Sequence, residues 1–600
     1  MRLYNITCAL LVCAAVALAP GCEKGSDKKN AEYAKLTNPL WALAPTGTAF
    51  GLVIGDGTGT QLHKALLTIA RTIETRQGGP EIMRKLRSEM AGEVPVDLFD
   101  AKSFAQYGVD LARGAAIFVT RDKRVTVILP ISNRQAFVNA VKGTTENGVD
   151  RVGKEKGRCK EVAGRYACAE SEEDIALLGK SDEMQKRMAS QTRGHIEVWA
   201  DLAALGVDDR KLTEYFTEPG VASGALQLEP GGFTVRGQLA TKPKNDKIKA
   251  LSDAPRELAQ AAAKDKPPGI FRLSLPIFGT LVPIDEAVKE LAPIGIIGGI
   301  DIKKDLIENF TGEVIAYSPA GQAAELVIKV GVRDGSKLDP LIKGFCNLGA
   351  EKAPELGLAV DGKRCTAKLD PDTMKRLFPG DEPMPFNGPV TASIQTEDRA
   401  VVASIRPAES GKSGSVEYDD LAREFATGAW NLALWGKGLG VSPDTAKTLA
   451  EFKDIPEAYS IMTAIMWAAA HLSETGLAVG VREDGIHAVM HIGTQFANPD
   501  DVLAEFQKIL DRLLAGDPNA MADLEKLAKK SPNTPFGRSM AAGHGGLSGL
   551  AGSATGMASA IAAPAFLRYK QRSQEAGQVL PDIDESVPED AVIEADDSKE

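Results

Sequence analysis

Leu477-Ala478-Val479-Gly480-Val481-Arg482-Glu483-Asp484-Gly485-Ile486-His487-Ala488-Val489-Met490-His491-Ile492 is the stretch whose reading decides the fold. Apolar residues alternate on both sides of Asp484-Gly485. That dipeptide tolerates the positive φ angles of a two-residue β-turn, so the stretch predicts an antiparallel hairpin. Four further stretches read the same way. They run from Ala115 to Pro130, from Ala225 to Ala240 around Pro230-Gly231-Gly232, from Glu313 to Val332 around Pro319-Ala320-Gly321, and from about Val390 to Ile405. Three of the five lead into apolar helical stretches at Ala136–Val141, Leu338–Phe345 and Val502–Leu514. In the last, Leu503, Phe506, Leu510 and Leu513 form one stripe.

Short apolar strands open at Ala49–Ile54, Ile270–Leu275 and Ala429–Leu434. After the first, Leu62, Leu66, Ile69 and Ile73 fall on one helical face. A Gly-aliphatic-Asp step recurs at Gly108-Val109-Asp110, Gly206-Val207-Asp208 and Gly299-Ile300-Asp301. The pattern predicts an α+β fold of repeated strand-helix-hairpin-helix lobes, with antiparallel sheets packed under helices. Three lobes are expected, at 45–265, 266–425 and a shorter 426–515. The first boundary is marked by the linker composition of Lys264-Asp265-Lys266-Pro267-Pro268-Gly269. A helical, small-residue apolar segment (516–573) and an acidic tail (574–600) complete the chain. From Glu575 to Glu600 there are ten acidic residues and one lysine, too few large apolar groups to offset the cost of ordering.

The N-terminus carries one positive charge at Arg2, then an apolar run from Ile6 to Ala19. That run has the length of a signal-peptide core and is too short to span a bilayer. It ends in Leu18-Ala19-Pro20-Gly21-Cys22, which resembles the bacterial lipobox. Ala19 and Pro20 depart from the usual pattern; Gly21 and Cys22 fit it. The resemblance implies cleavage after residue 21, acylation of Cys22 and a flexible tether over 22–44. The chain's layout resembles that of large uncharacterised lipoproteins of bacterial envelopes, a likeness that brings no activity with it. Glu23, in place of an aspartate, implies an outer-membrane anchor facing the periplasm.

Of seven cysteines, Cys8 and Cys13 leave with the signal peptide and Cys22 carries lipid. Cys159, Cys168, Cys346 and Cys365 remain, an even number suited to an oxidising compartment. Three pairings are possible. Cys159 with Cys168 and Cys346 with Cys365 is the expected one, because each bond then closes a short loop within one lobe. A metal site is disfavoured: there is no CxxC and no histidine close by in sequence. No metal or other cofactor is expected.

Net charge is −11, with no basic stripe, so nucleic acid is excluded as a partner. Gly55-Asp56-Gly57-Thr58-Gly59 follows a strand and opens a helix, yet its spacing is not that of a dinucleotide loop. Gly411-Lys412-Ser413 lacks the earlier glycine of a phosphate loop, since Arg406 stands there. His487 and His491 fall on one side of a strand roughly 13 Å apart, too far to chelate one ion. No catalytic motif was found, and no enzyme activity is expected. The nearly all-apolar run Ile461–Ala470 reads as a buried core helix, or as a groove wall for lipid or a partner helix.

Residues 545–567 are uncharged and rich in glycine, alanine and serine. The run from Ala558 to Ser573, with its Ala-Ile-Ala-x-Pro and following aromatic and basic residues, resembles the later half of the N-terminal helix of type IV pilins. It stands at the opposite end of the chain and lacks the pilin cleavage site, so pilin function does not carry over. Residues 545–567 read as a small-residue linker or docking helix, or else as a second membrane attachment, which would require the inner membrane. The expected function is a non-catalytic, membrane-anchored envelope lipoprotein, a periplasmic binding or scaffold module with a protein partner in the envelope. The alternative is a carrier or chaperone for a lipid or other apolar ligand, and an enzyme of unknown chemistry comes third.

Overall fold

The computed structural model describes most of residues 38–530. Outside the description lie 1–37, much of 76–96, 276–282, 321–325, 374–388, 408–417, 438–471, 495–500, 531–600 and some shorter gaps. Cys22, the run 461–470 and the segment 545–567 therefore fall outside the described residues. The chain divides into two units, Met1–Leu550 and Ala551–Glu600, and every described residue belongs to the first.

Among the described residues twenty strands form one sheet, and every ladder in it is antiparallel. The first ten are β1 (Thr48–Ile54), β2 (Ala115–Thr120), β3 (Val125–Leu129), β4 (Thr144–Glu146), β5 (Val149–Val152), β6 (Gly157–Val162), β7 (Arg165–Ala169), β8 (Ile196–Asp201), β9 (Val221–Glu229) and β10 (Gly232–Ala240). The second ten are β11 (Gly269–Ser274), β12 (Phe310–Tyr317), β13 (Leu326–Val332), β14 (Ala359–Asp361), β15 (Arg364–Leu369), β16 (Val390–Glu397), β17 (Ala400–Pro407), β18 (Leu432–Lys437), β19 (Leu472–Arg482) and β20 (Gly485–Thr494).

In space the first ten run β4-β5-β6-β7-β3-β2-β1-β8-β9-β10. The second ten run β14-β15-β16-β17-β13-β12-β11-β18-β19-β20, the same order with ten added to each number. The two tens meet at β10 and β20. Three lobes were expected; the strand order divides into two. The discrepancy has a specific source. The strand opening at Ala429–Leu434 leads into β18, whose counterpart in the first ten is β8, not β1. Short apolar strands look alike in sequence, and only the pairing partners tell them apart.

Register repeats as well as order. At the junction Gly237 and Met490 are counterparts. Following the ladders outward gives the counterpart pairs Gly224 and Leu477, Val198 and Leu434, Leu52 and Phe271, Ile117 and Ala316, and Val127 and Ile328. Further out come Cys168 and Ala403, Cys159 and Ile394, then Asp150 and Cys365. On the opposite side of the same strands Trp199 falls in register with Trp435, and both are fully buried.

One face of the sheet, the helix-covered face, holds the two main cores. Around Trp199 pack Trp41, Phe118 and residues of α3 (Glu172–Ala176) and α4 (Glu183–Ala189). Around Trp435 pack residues of α5 (Glu257–Ala263) and α7 (Asp420–Thr427). The far face is covered at its two outer ends. There α2 (Arg134–Ala140) lies over Cys159 and Tyr166 through Phe137, and α6 (Asp339–Lys352) lies over Cys365 through Ile342 and Cys346. Helices α1 (Thr58–Glu74) and α8 (Asp501–Leu514) complete the elements named here; in α8, Phe506 is buried.

The outer helices are tied down at equivalent points by different chemistry. Cys346 of α6 is bonded to Cys365, and Cys159 is bonded to Cys168 across β6 and β7. In the first half Arg134 of α2 reaches Asp150, the counterpart of Cys365, at 2.6 and 2.8 Å. Asp150 is fully buried and also accepts from Tyr166 Oη (2.7 Å) and Thr145 Oγ1 (2.6 Å). Burial pushes its carboxyl up, and the three donors together outweigh that and hold it below the ordinary range. Arg134→Ala should cost about 2 kcal/mol at neutral pH, less than a wholly buried pair because Arg134 keeps contact with water. Stability from a depressed carboxyl is complete above its unfolded pKa, about pH 4, and is lost as pH falls through the lower folded value. Urea titrations should therefore show the gap between wild type and variant closing in acid.

Candidate functional site

The far face between its two covered ends is the candidate site. On β8, β9, β10, β20, β19 and β18 it presents Ile196, Val198, Leu226, Val235, Leu239, Ile486, Ala488, Met490, Ile492, Leu477, Val479, Leu432 and Leu434, with glycine at 224 and 237. Leu477 is 42% exposed, Val125 39%, and Ile117 and Met490 38% each.

Binary patterning is inverted at this place. A strand normally turns its large aliphatic side chains toward the helices. Here the helix-covered face of β10 and β20 presents Thr234, Arg236, Gln238, His487 and His491, with Val489 the one large aliphatic beside them. On β19 it presents Gly476, Ala478 and Gly480. The two glycines admit aromatic rings carried by α7 and the turn after it. A Cβ on Gly476 would stand 2.4 Å from the Phe425 ring, and one on Gly480 would stand 3.1 Å from Trp430 Cα. On this seam the core is built by helix side chains dropping onto a small or polar sheet surface, while the aliphatic residues of the strands face the other way.

The polar groups of the helix-covered face are consumed in structural bonds. Glu197 is fully buried; it accepts from Trp41 Nε1 (2.6 Å) and from the Gly194 amide (3.1 Å), and burial pushes its carboxyl up. In the second half Glu313 accepts from the Leu258 and Ala259 amides, both at 2.9 Å, capping the start of α5. Burial raises Glu313 and lowers the guanidinium of fully buried Arg272 to about 10, the two lying 3.9 Å apart. Arg272 donates to the Gly428 carbonyl at 2.8 Å. At the seam Thr234 Oγ1 donates to Glu229 at 2.8 Å and lies 2.9 Å from His491 Nδ1. Arg236 forks onto Glu424 with two bonds of 2.7 Å.

The motifs singled out in sequence are placed as follows. Asp56 of the glycine loop is held by Arg165 (2.6 and 2.9 Å) and by the Gly114 amide (2.6 Å), while the Gly55 and Gly57 amides donate to backbone carbonyls. Those amides are therefore not free to cradle a phosphate. Gly411-Lys412-Ser413 lies outside the described residues. His487 pairs with Asp484 and His491 with Thr234, so the structure does not bring the two together. The Gly-aliphatic-Asp step has a local cause: Gly108, Gly206 and Gly299 all take positive φ, and Asp110 and Asp301 then accept backbone amides. Among the described residues no group of three or more His, Cys, Asp or Glu could hold a metal ion, and no helix is long and apolar enough to cross a membrane. Sequence reading missed the far-face centre. Its one available signal was mid-strand glycine, at 224 and 237, where β structure ordinarily disfavours it.

No protein-family model, no curated protein and no solved structure matches this chain.

The two faces should answer differently to truncation. Trp199→Ala and Trp435→Ala should each cost about 3–5 kcal/mol in denaturant unfolding. Leu477→Ser and Met490→Ser should each stay within about 0.5 kcal/mol of wild type. Equal losses on both faces would mean that the far face is packed as core.

Proposed function

We propose that this chain is a non-catalytic, lipid-anchored binding protein of the bacterial envelope, and that the far face of its sheet holds a lipid or other apolar ligand. One observation carries the reading: large apolar side chains from β2, β19 and β20 stand exposed on the far face of the sheet, while at the β19–β20–β10 seam mostly small and polar residues face the helices. Contiguous exposed apolar area of this kind marks a place of interaction.

Two further points support it. The buried carboxylates at 197, 313 and 150 are each committed to backbone, indole, phenol or guanidinium donors, an arrangement suited to holding a fold and not to turnover. Export and anchoring rest on the signal-like run and lipobox ending at Cys22, which would keep the binding face close to a source of acyl chains.

Native mass spectrometry of full-length protein extracted in mild detergent tests the ligand claim. A bound lipid or other apolar mass is expected, and its loss on Leu477→Glu/Met490→Glu should leave the unfolding curve in place. Protein that is ligand-free and turns over an envelope substrate would overturn the reading. Acyl labelling of wild type against Cys22→Ala tests the anchor separately, with label expected in the wild type alone.

A further inference from the structure

The inference rests on the reading of the far face as an apolar binding surface, and names what that surface takes. Two residue tracks cross its centre at right angles to the strands. One runs Leu52, Val198, Gly224, Gly237, Ala488, Val479, Leu432. The other runs Phe271, Leu434, Leu477, Met490, Val235, Leu226, Ile196. They are counterparts: exchanging the two halves carries each track onto the other. Where the second has Leu477, Met490 and Val235, the first has Gly224, Gly237 and Ala488.

The comparison is an internal control. The same backbone, in the same register, carries Leu477, Met490 and Val235 at three central positions of one track and Gly224, Gly237 and Ala488 at the equivalent positions of the other, with Val198 and Val479 closing the first track at either end. At Gly224 a Cβ would press on Val198 Cγ1 (3.2 Å) and the Arg236 carbonyl oxygen (3.3 Å), so local packing favours glycine there. Among the described residues nothing asks for glycine at 237. Its φ is not positive, and a Cβ there would meet only the Ser223 carbonyl oxygen, at 3.9 Å, within 4 Å. Glycine in a strand interior is otherwise a cost, in entropy and in lost packing.

We infer that the far face holds a single acyl chain, laid across the strands over Gly224, Gly237 and Ala488. The floor spans β9, β10 and β20, about 10 Å at ordinary strand spacing. Leu226, Val235 and Met490 wall it on one side, and Leu239 and Ile486 on the other, each wall about 6–7 Å along the strand from the floor. Floor and walls carry no polar side chain, so the slot recognises methylene groups and leaves any headgroup outside. The filled counterpart track limits occupancy to one chain.

Calorimetric titration of delipidated full-length protein with palmitate tests this. The wild type should take up about one equivalent. Gly237→Met installs the counterpart residue, and Ala488→Leu fills the neighbouring position; each should weaken binding about tenfold or more through overfilling, with the thermal midpoint kept. Two substitutions guard against one of them failing to fold. Tyr215→Ala, an exposed side chain on the helix between β8 and β9, should stay within about twofold. A wild type that binds no palmitate and carries no lipid after gentle extraction would sink the reading of the face itself. Binding that Gly237→Met and Ala488→Leu both retain would sink the slot alone.

Discussion

The β10–β20 ladder is the constraint on which the architecture depends. Each ten-stranded half would otherwise end in a nine- or ten-residue strand with a row of open amides and carbonyls, a template for unwanted pairing. The halves satisfy each other instead. Gly232 faces Gly493 at one end, Ala240 faces Gly485 at the other, and Arg236 faces Val489 in the middle. Exchanging the halves carries this ladder onto itself, because Arg236 and Val489 are counterparts as well as partners. The edges left over are β4 and β14, three residues each and carrying Glu146 and Asp361, too short and too charged to recruit another sheet.

Joined in this way, the halves were free to differ wherever register did not bind them. The outer helix of each must be fixed to the sheet, and the fixings share no chemistry: an ion pair with phenol and hydroxyl support at Asp150, a disulfide at Cys365. The helix-covered cores differ as well. Trp41 enters above Gly51 in the first half and bonds Glu197, whereas the second half places Arg272 and Glu313 in its interior. What persists is geometric: ten strands, their order, their register, and a tryptophan at the same point on β8 and β18.

Much of this could be read from the residues and some could not. All five hairpins were legible, because turn dipeptides and period-two alternation are local properties. So were the helices after β3, β13 and β20, and the local pairing of the four cysteines. The number of repeats was not. Ile270–Leu275 leads through β11, the true counterpart of β1, while Ala429–Leu434 leads into the counterpart of β8, and the two stretches share one pattern, an aromatic residue followed by leucines at alternate positions. Pairing is a long-range fact. A closer comparison around Val198-Trp199-Ala200 and Leu434-Trp435-Gly436 would have offered the correct alignment. The candidate site was hidden for a different reason: alternation tells which residues share a face and says nothing of which face the helices will cover.

That last point bears on why the far face is built as it is. A strand pair with aliphatic residues on one side and polar residues on the other would normally bury the aliphatic side. At the seam the polar side is buried, at the cost of satisfying Thr234, His491, Arg236 and Glu229 one by one with bonded partners. Helices covering the aliphatic side would have required no such network. The arrangement is therefore costly in folding terms and gains nothing for stability, which is the pattern expected where local rules yield to a task. The task proposed here, holding an acyl chain against Gly237, needs an apolar surface that the protein does not itself fill. The bonded polar seam on the opposite side is what leaves that surface facing away from the helices.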